Sequence, residues 1–114
     1  MMKIKTERLL IRNFELSDAQ NIFELDTDPD VMRFIGGKMP ESIEDSIATL
    51  KRQFIYYEKH PGLGVFACEL NETNDFIGWG ALKYLDKSEK IEVGYRLKKK
   101  FWGYGYATEI TKHY

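Results

Sequence analysis

The chain has 114 residues, of which 43% are hydrophobic and 31% charged, and this balance is that of one soluble globular domain rather than of a disordered segment. Its formal net charge of -1 at pH 7 argues against wholesale attraction to nucleic acid or to a membrane, since no large single-sign field is present. The single cysteine, Cys68, excludes an intrachain disulfide, and no run approaches the ~20 apolar residues of a membrane span. We therefore expect one domain over residues 1–114, in the cytoplasm and without a metal site.

The first part of the chain predicts a strand followed by a helix. Residues 7–13 alternate and are rich in Leu and Ile, which is typical of a strand. Ser17 and Gln20 have the spacing of a capping box, so we expect a helix to begin at Ser17. The Asp-Pro-Asp run at 28–30 should break that helix, and residues 31–35 should then form a short helical turn that ends at the two following glycines.

The second helix is the clearest amphipathic segment of the chain. Ser42 and Asp45 repeat the capping pattern, and apolar residues then recur at three- and four-residue steps as far as Tyr57. The His-Pro-Gly run at 60–62 should end this helix, because proline disfavours helix at the residue before it and glycine permits the reversal.

From Leu63 onward the period is that of strands. Strands are predicted at 65–70, 76–85 and 91–97, and their short connecting turns indicate an antiparallel meander. A loop and a final helix follow. The predicted order is therefore β-α-α-β-β-β-α, an α+β fold without the repeat or linker that would mark a second domain.

A basic, glycine-containing run joins the last predicted strand to the last predicted helix. It reads Lys98-Lys99-Lys100-Phe101-Trp102-Gly103-Tyr104-Gly105. A strand that feeds such a turn presents unpaired backbone N–H groups and the positive end of a helix dipole to one point, which suits a phosphate. The spacing fits neither a G-x-x-x-x-G-K-[ST] loop nor a G-x-G-x-x-G fingerprint. The alternative is a tight connector with solvated lysines.

After the strand that contains Glu-Val-Gly-Tyr, this run resembles the [Gln/Arg]-x-x-Gly-x-[Gly/Ala] loop of the GNAT family of acetyl-CoA-dependent N-acetyltransferases. The likeness is closer to the branch that includes ribosomal-protein N-terminal acetyltransferases, because residues 6–12 and 28–34 resemble its opening strand and first-helix region. Residues 76–80 resemble the family's third strand. The family's domain continues through several more strands and helices, so the resemblance implies a GNAT-like fold truncated after the glycine-loop helix.

The resemblance implies that acetyl-CoA is the co-substrate and that it binds at the glycine loop. The implied cofactor-binding residues are Val93, Lys100, Phe101, Trp102, Gly103, Tyr104 and Gly105. Lys100 stands where the family's loop usually has Arg or Gln, and lysine keeps the charge of arginine without its planar fork. We therefore expect the backbone amides from Phe101 to Gly105 to carry more of the phosphate binding than the Lys100 side chain, with the charges of Arg96, Lys98 and Lys99 nearby.

Two residues of the last predicted strand are the candidate catalytic residues. An amine attacks a thioester only when it is neutral, and Glu92 could take its proton, through a water molecule. The alternative for Glu92 is a surface carboxylate paired with Lys90 or Arg96. Val93 could offer its backbone N–H to the thioester oxygen as charge develops. The tyrosine that commonly protonates the departing thiolate in the family has no counterpart here, and Phe34, Trp79 and Tyr84 could line an acceptor pocket.

Three functions compete at this point. The first is N-acetyl transfer from acetyl-CoA to a primary amine, which is a protein N-terminus or a small amine, by direct attack. The second is a catalytically silent CoA-binding or assembly module, because an unpaired strand edge at 91–97 would favour a homodimer or the exchange of elements. The third is a nucleic-acid binder that uses the three lysines, but that basic patch is short, so we expect neither a nucleic-acid nor a membrane partner.

Overall fold

The computed structural model describes residues 3–33, 35, 38–84 and 90–112. In chain order its elements are β1 (Lys3–Lys5), β2 (Leu9–Asn13), α1 (Ala19–Asp26), α2 (Pro29–Met32), α3 (Ile43–Lys59), β3 (Gly64–Leu70), β4 (Phe76–Tyr84), β5 (Ile91–Leu97) and α4 (Tyr106–Lys112). Over these residues the strands form a five-stranded antiparallel sheet in the order β1-β2-β3-β4-β5. The predicted α+β order and the meander of β3, β4 and β5 are confirmed.

The strand β1 is an addition to the predicted order. It pairs with β2, and Ile4 lies opposite Ile11. With three residues, two of them lysines, it is too short to show an alternating pattern. Lysine suits this position, because charge on an edge strand discourages pairing with further strands.

The sheet has a buried cluster on each face. One cluster joins α1, α2 and α3 to the sheet, and its buried members are Phe14, Ala19, Ile22, Leu25, Val31, Met32, Leu50, Ala67 and Phe76. The other packs α4 against the sheet through Leu9, Ile11, Phe66, Cys68, Ile77, Leu97 and Ile110. Each fully buried Leu or Ile stabilises the fold by about 1.5–3 kcal/mol, so the second cluster fixes α4 firmly beside β5.

The predicted start of the first helix is wrong. The capping box joins Glu15 and Asp18 rather than Ser17 and Gln20, and it leads through a 3₁₀ turn at 16–18 into α1 at Ala19. The Glu15 N–H donates to Asp18 Oδ2 at 2.8 Å. Arg12 of β2 also binds the Asp18 carboxylate, because its two terminal nitrogens donate to the two carboxylate oxygens at 2.8 and 2.9 Å. The contact from Arg12 therefore determines that the capping box forms at Glu15 and Asp18. Ser17 and Gln20 have the same spacing but lack such a contact among the described residues.

The next two helices agree with their predicted places, with one shift. The predicted turn at 31–35 begins earlier, because Asp28 accepts a hydrogen bond from the Asp30 N–H at 2.9 Å and Pro29 occupies the first turn of α2. Its predicted end at the two glycines lies outside the described residues. The longest helix, α3, begins after Ser42 as predicted, although the Ser42 side chain makes no capping bond. Over the described ranges, no helix combines the length and the apolar character that crossing a membrane requires.

Candidate functional site

The site is built around the end of β5, which pairs with β4 on one side. Leu97 lies opposite Gly78, and the Lys98 N–H donates to the Ile77 carbonyl at 2.8 Å, which ties the start of the loop to β4. Gly78 has φ +147, and a Cβ atom there would lie 2.0 Å from the Arg96 carbonyl oxygen. Only glycine fits such an approach, so this residue allows the end of β5 to lie against β4.

The glycine loop has a defined shape between β5 and α4. A 3₁₀ turn occupies 99–101, and the Phe101 and Trp102 N–H groups donate to the carbonyls of Lys98 and Lys99 at 3.0 Å each. Those two amides are therefore used within the loop. The Trp102 indole N–H donates to the Leu97 carbonyl at 3.0 Å, which holds the loop against the strand.

The second half of the loop leaves backbone amides open. Gly103 and Gly105 have φ values of +83 and +82, and L side chains rarely adopt such angles. The Gly105 carbonyl accepts the Glu109 N–H at 3.1 Å, which begins α4. Within the described part of the chain, no hydrogen-bond acceptor pairs with the N–H groups of residues 103–105. These amides are the ones that a ligand phosphate could reach.

A cleft of about 390 Å³ lies beside the edge of β5, between α2 and the glycine loop. Its lining residues are Val31, Ile35, Tyr95, Arg96, Leu97, Phe101, Trp102, Gly103, Tyr106 and Ala107. The end of the strand, the loop and the first turn of α4 thus form one continuous wall. Such a cleft, mostly apolar with a few polar groups, is the usual form of a small-molecule site.

Ion pairs hold the end of β5 and the start of the loop against α1. Arg96 donates to Asp26 at 2.7 Å, and its guanidinium carbon lies 5.1 Å from the centre of the Trp79 ring. Lys98 lies 3.7 Å from Glu24. These cations neutralise carboxylates of α1, so they are less available to a ligand phosphate than the sequence alone indicates.

The next lysine pairs with α2. Lys99 Nζ lies 2.8 Å from Asp30, and this contact, with a second from Arg33, holds the pKa of Asp30 below its ordinary value. Lys100 instead lies 5.1 Å from the centre of the Phe101 ring and forms no ion pair with any residue that the structure describes. Among the loop lysines, Lys100 has the charge that is most available to an anion.

The candidate catalytic residues lie on β5 before the cleft. The side chain of Glu92 is 44% exposed, and its carboxylate is 3.9 Å from Lys83 of β4, opposite it in the sheet. Val93 is also half exposed and lies opposite Leu82. At ~3.3 Å per residue, Glu92 and Val93 stand roughly 10 and 7 Å along the strand from Tyr95, the first residue of β5 that lines the cleft. Their catalytic roles stay predictions.

The structure brings together part of the predicted cofactor set. Phe101, Trp102 and Gly103 line the cleft, whereas Lys100, Tyr104 and Gly105 lie beside them in the loop. Of the predicted acceptor-pocket residues, Phe34 lies outside the described residues. Trp79 packs under Arg96, and Tyr84 donates its N–H to the Tyr56 hydroxyl at the other end of β4.

Other wall residues were not singled out by their sequence. In the sequence, Val31 and Tyr106 look like ordinary apolar residues on one face of a helix, and this pattern indicates packing residues. Tyr95 and Leu97 alternate along β5, and this alternation is the only sequence signal that could have placed them on one side of the strand. They line a cleft because Val31 of α2 and the first turn of α4 come beside them in the folded chain, and the sequence does not show that arrangement.

Comparison with known proteins decides the family. The acetyltransferase (GNAT) domain family matches residues 8–113. This chain belongs to the GNAT family. Its sheet and helices form the GNAT acyl-CoA N-acyltransferase fold, as the sequence resemblance implies.

Individual GNAT proteins support the assignment. The chain is 31% identical over 114 residues to YnaD of Bacillus subtilis (strain 168), described as an uncharacterized N-acetyltransferase, and the match covers 97% of this chain and 62% of that protein. A GNAT-family acetyltransferase from Bacillus anthracis superposes with a TM-score of 0.76 at 29% identity, over 95% of this chain and 60% of that one. The ribosomal L7/L12 alpha-N-protein acetyltransferase RimL, solved with coenzyme A, shares the fold at 16% identity, with a TM-score of 0.75 over 95% of this chain and 62% of RimL. This chain therefore spans less than two thirds of each of these relatives.

Proposed function

We propose that this chain binds acetyl-CoA and serves N-acetyl transfer from it to a primary amine. The observation that carries the proposal is the cleft along the end of β5, which opens directly onto the glycine loop and its open amides. A family of acetyl-CoA-dependent enzymes requires such a continuous path, since the pyrophosphate and the acyl-pantetheine arm belong to one molecule. RimL, a protein of the same fold, is solved in complex with coenzyme A, which supports acetyl-CoA as the ligand.

The loop would hold the pyrophosphate mainly through main-chain atoms. The N–H groups of residues 103–105 are the open donors, and Lys100 supplies a nearby charge without the fork geometry of arginine. The pantetheine arm would then follow the cleft along Tyr95, Arg96 and Leu97 toward the earlier part of β5. This direction leads the thioester toward Val93 and Glu92.

The transfer itself would be a direct attack. The amine nitrogen bonds to the thioester carbonyl carbon, and the Val93 N–H stabilises the oxygen of the tetrahedral intermediate. The carbon–sulfur bond then breaks, and the proton that the attacking nitrogen still carries passes to the departing sulfur, so that the products are the N-acetyl amide and the CoA thiol. A primary amine has an ordinary pKa of ~10 for lysine or ~8 for an α-amino group, so its ammonium form must lose a proton. Glu92 would take that proton through a water molecule. The acceptor is a protein N-terminus or a small amine.

Binding and turnover test the proposal separately. We expect isothermal titration of acetyl-CoA into the 114-residue chain to give micromolar affinity, and dephospho-CoA, which keeps the pyrophosphate, to bind as well. We then expect thiol release from acetyl-CoA with at least one member of an amine panel. No binding to a demonstrably folded chain would contradict the cofactor assignment.

Glu92→Gln tests the assigned base. We expect this variant to keep its acetyl-CoA affinity and to lose turnover by ~10²-fold or more, because general-base catalysis contributes roughly 10²–10⁴-fold. Glu58→Gln is the matched control, since Glu58 is an exposed carboxylate of α3 outside the cleft. Equal turnover in the two variants would remove Glu92 from the mechanism.

The second candidate is a CoA-binding or assembly module without turnover, and an exposed apolar stripe on β5 favours it. Ile91, Val93 and Tyr95 alternate along the strand and are 50%, 47% and 53% exposed. An exposed apolar edge is a site where another chain can pair. We expect such a module to form a homodimer through this stripe.

Light scattering with chromatography tests the homodimer. Val93→Lys should shift a dimer toward the monomer mass at micromolar concentration, because a charge at the edge disfavours pairing. Ile55→Lys is the matched control, since Ile55 is an equally exposed apolar residue, 52% accessible, on α3. A wild-type chain that is already monomeric would contradict the dimer, and turnover by that monomer would exclude the silent module.

A further inference from the structure

A polar cluster ties the start of the chain to α4. The Glu109 carboxylate accepts hydrogen bonds from the Thr6 hydroxyl, from the Arg8 backbone N–H at 2.8 Å and from Arg8 Nε at 2.6 Å. The Glu109 side chain is only 11% exposed. Burial alone would raise the pKa of Glu109, but the bonds from Thr6 and Arg8 outweigh burial and hold that pKa below its ordinary value. Glu109 is therefore a charged anchor in a sheltered place.

The same arginine reaches the glycine loop. Arg8 Nη1 donates to the Tyr104 carbonyl oxygen at 2.8 Å, and the guanidinium lies 4.4 Å from the centre of the Tyr106 ring. Nε is bound to Glu109 while Nη1 holds the loop, so the two bonds fix the orientation of the guanidinium plane. Arg8 thus connects a rigid helix residue to the middle of a loop whose glycines allow other conformations.

This contact determines the direction of a loop amide. In a trans peptide unit the C=O and the following N–H point in opposite directions. Because the Tyr104 carbonyl points toward Arg8, the Gly105 N–H points away from Arg8. Gly105 has φ +82, so its own backbone allows alternatives that the Arg8 bond excludes.

We propose that Arg8 is a positioning residue for the glycine loop, anchored by Glu109, and that it orients the Tyr104–Gly105 peptide unit so that its N–H faces the ligand phosphate. This inference rests on the proposed acetyl-CoA site. Arg8 acts through the loop backbone and does not itself touch the cofactor. It joins two segments that are far apart in the sequence, the Thr-Glu-Arg run near the start and the helix that follows the glycines.

The geometry requires arginine at this position. A lysine has one ammonium group, and it would satisfy either Glu109 or the Tyr104 carbonyl but would not hold both in one plane. Arg8→Lys therefore keeps the charge and removes the orientation. Glu109→Gln removes the anchor and keeps the side-chain size. If the two residues act as one unit, the double variant should be no worse than the more affected single variant.

The test has one readout that needs no cofactor and one that does. The first is the ¹⁵N–¹H NMR spectrum of the 114-residue chain, in which the amides of residues 103–105 should shift and become more mobile in Arg8→Lys. The second is acetyl-CoA titration, in which Arg8→Lys and Glu109→Gln should each bind about tenfold more weakly or worse, the loss expected for a misdirected charge-assisted hydrogen bond. Arg52→Lys is the matched control, because Arg52 is an exposed arginine of α3 that donates to the Thr49 hydroxyl at 3.0 Å.

Each outcome decides the proposal. Unchanged loop amides in Arg8→Lys overturn the positioning role, whatever the affinity. Changed loop amides with an unchanged acetyl-CoA affinity also overturn it, because the orientation would then not matter to the ligand. A wild-type chain that does not bind acetyl-CoA defeats the proposed function instead, and the NMR comparison still decides whether Arg8 holds the loop. Arg8→Lys keeps the charge at this position, and a urea unfolding midpoint of Arg8→Lys equal to that of wild type separates its affinity loss from general destabilisation.

Discussion

Two arginines near the start of the chain do similar chemistry in different surroundings. Arg12 grips Asp18 at the start of α1, where the side chains are 20% and 2% exposed. Arg8 grips Glu109 in the first turn of α4, where they are 42% and 11% exposed. Both pairs fix the beginning of a helix against the N-terminal part of the sheet. They differ in depth, and the cost of removing each pair should follow that difference.

The two clusters also differ in whether they contact the proposed site. The Arg12 cluster lies between the sheet and α1 and includes Glu69 of β3 at 3.2 Å, and none of its three residues lines the cleft. The Arg8 cluster is shallower, and one of its bonds reaches the glycine loop. We infer that the buried cluster mainly stabilises the fold, whereas the shallow one mainly controls the shape of the proposed site.

The largest expected effect is on stability at the deep cluster. Arg12→Ala leaves the Asp18 carboxylate buried without its partner and should lower the free energy of unfolding by about 3–5 kcal/mol. Arg8→Ala removes a partly exposed ion pair and should cost about 1 kcal/mol or less. Urea unfolding of both variants measures the difference. If both variants lose the same free energy of unfolding, the burial of a cluster does not determine its contribution to stability.

The surroundings of these clusters also show which features the sequence predicts and which it does not. The strand at 91–97 and the following glycine loop are predictable because alternation and glycine spacing are local signals. The capping box is not, because Glu15 with Asp18 and Ser17 with Gln20 have the same spacing and Arg12 of another element decides between them. The predicted helix start is therefore two residues too early.

The candidate site shows the same limit. The run from Lys98 to Gly105 is evident from the sequence, yet its lysines were expected near a phosphate and two of them instead pair with carboxylates of α1 and α2. The Phe101 amide is used by the 3₁₀ turn, which glycine spacing alone does not indicate. Arg8 lies 96 residues before the carbonyl that it holds. Contacts across such distances have no local pattern, so only the folded chain reveals them.

Two glycines extend the comparison to the backbone. Gly78→Ala would place a Cβ atom 2.0 Å from the Arg96 carbonyl, so the strands must separate, and we expect a loss of stability of about 2 kcal/mol or more. Among the described residues, the Cβ atom of Gly105→Ala would meet only the Arg8 side chain, at 3.5 Å. The cost of this variant is therefore that of the positive φ, about 1 kcal/mol. Thermal unfolding and acetyl-CoA titration should therefore rank the two variants differently: Gly78→Ala mainly lowers the unfolding temperature, and Gly105→Ala mainly lowers the affinity. A greater loss of stability in Gly105→Ala than in Gly78→Ala would contradict the assignment of Gly78 to the fold and of Gly105 to the site.

The smallest expected effect is the acid dependence of the two clusters. Burial opposes the ionisation of Asp18, but the bonds from Arg12, from the Glu15 backbone and from Asn21 hold its pKa below the ordinary value. The pKa of Glu109 is lowered as well. A carboxyl group with a lowered folded-state pKa contributes stability that is fully present above its unfolded pKa, ~3.9 for Asp and ~4.3 for Glu, and is lost as the pH falls through the folded value.

We therefore expect the unfolding free energy of the wild type to decrease as the pH falls below about 4. Asp18→Asn and Glu109→Gln should each start from a lower stability at neutral pH and show a flatter slope in this range, because the titrating group is gone. Asp28→Asn is the control, because Asp28 is a carboxylate that caps α2 and belongs to neither cluster. Urea midpoints measured from about pH 6 to about pH 3 give the slopes. If Glu109→Gln flattens the curve while the loop amides of the Arg8→Lys variant stay unchanged, the shallow cluster serves stability alone, and its difference from the deep one is a difference of degree.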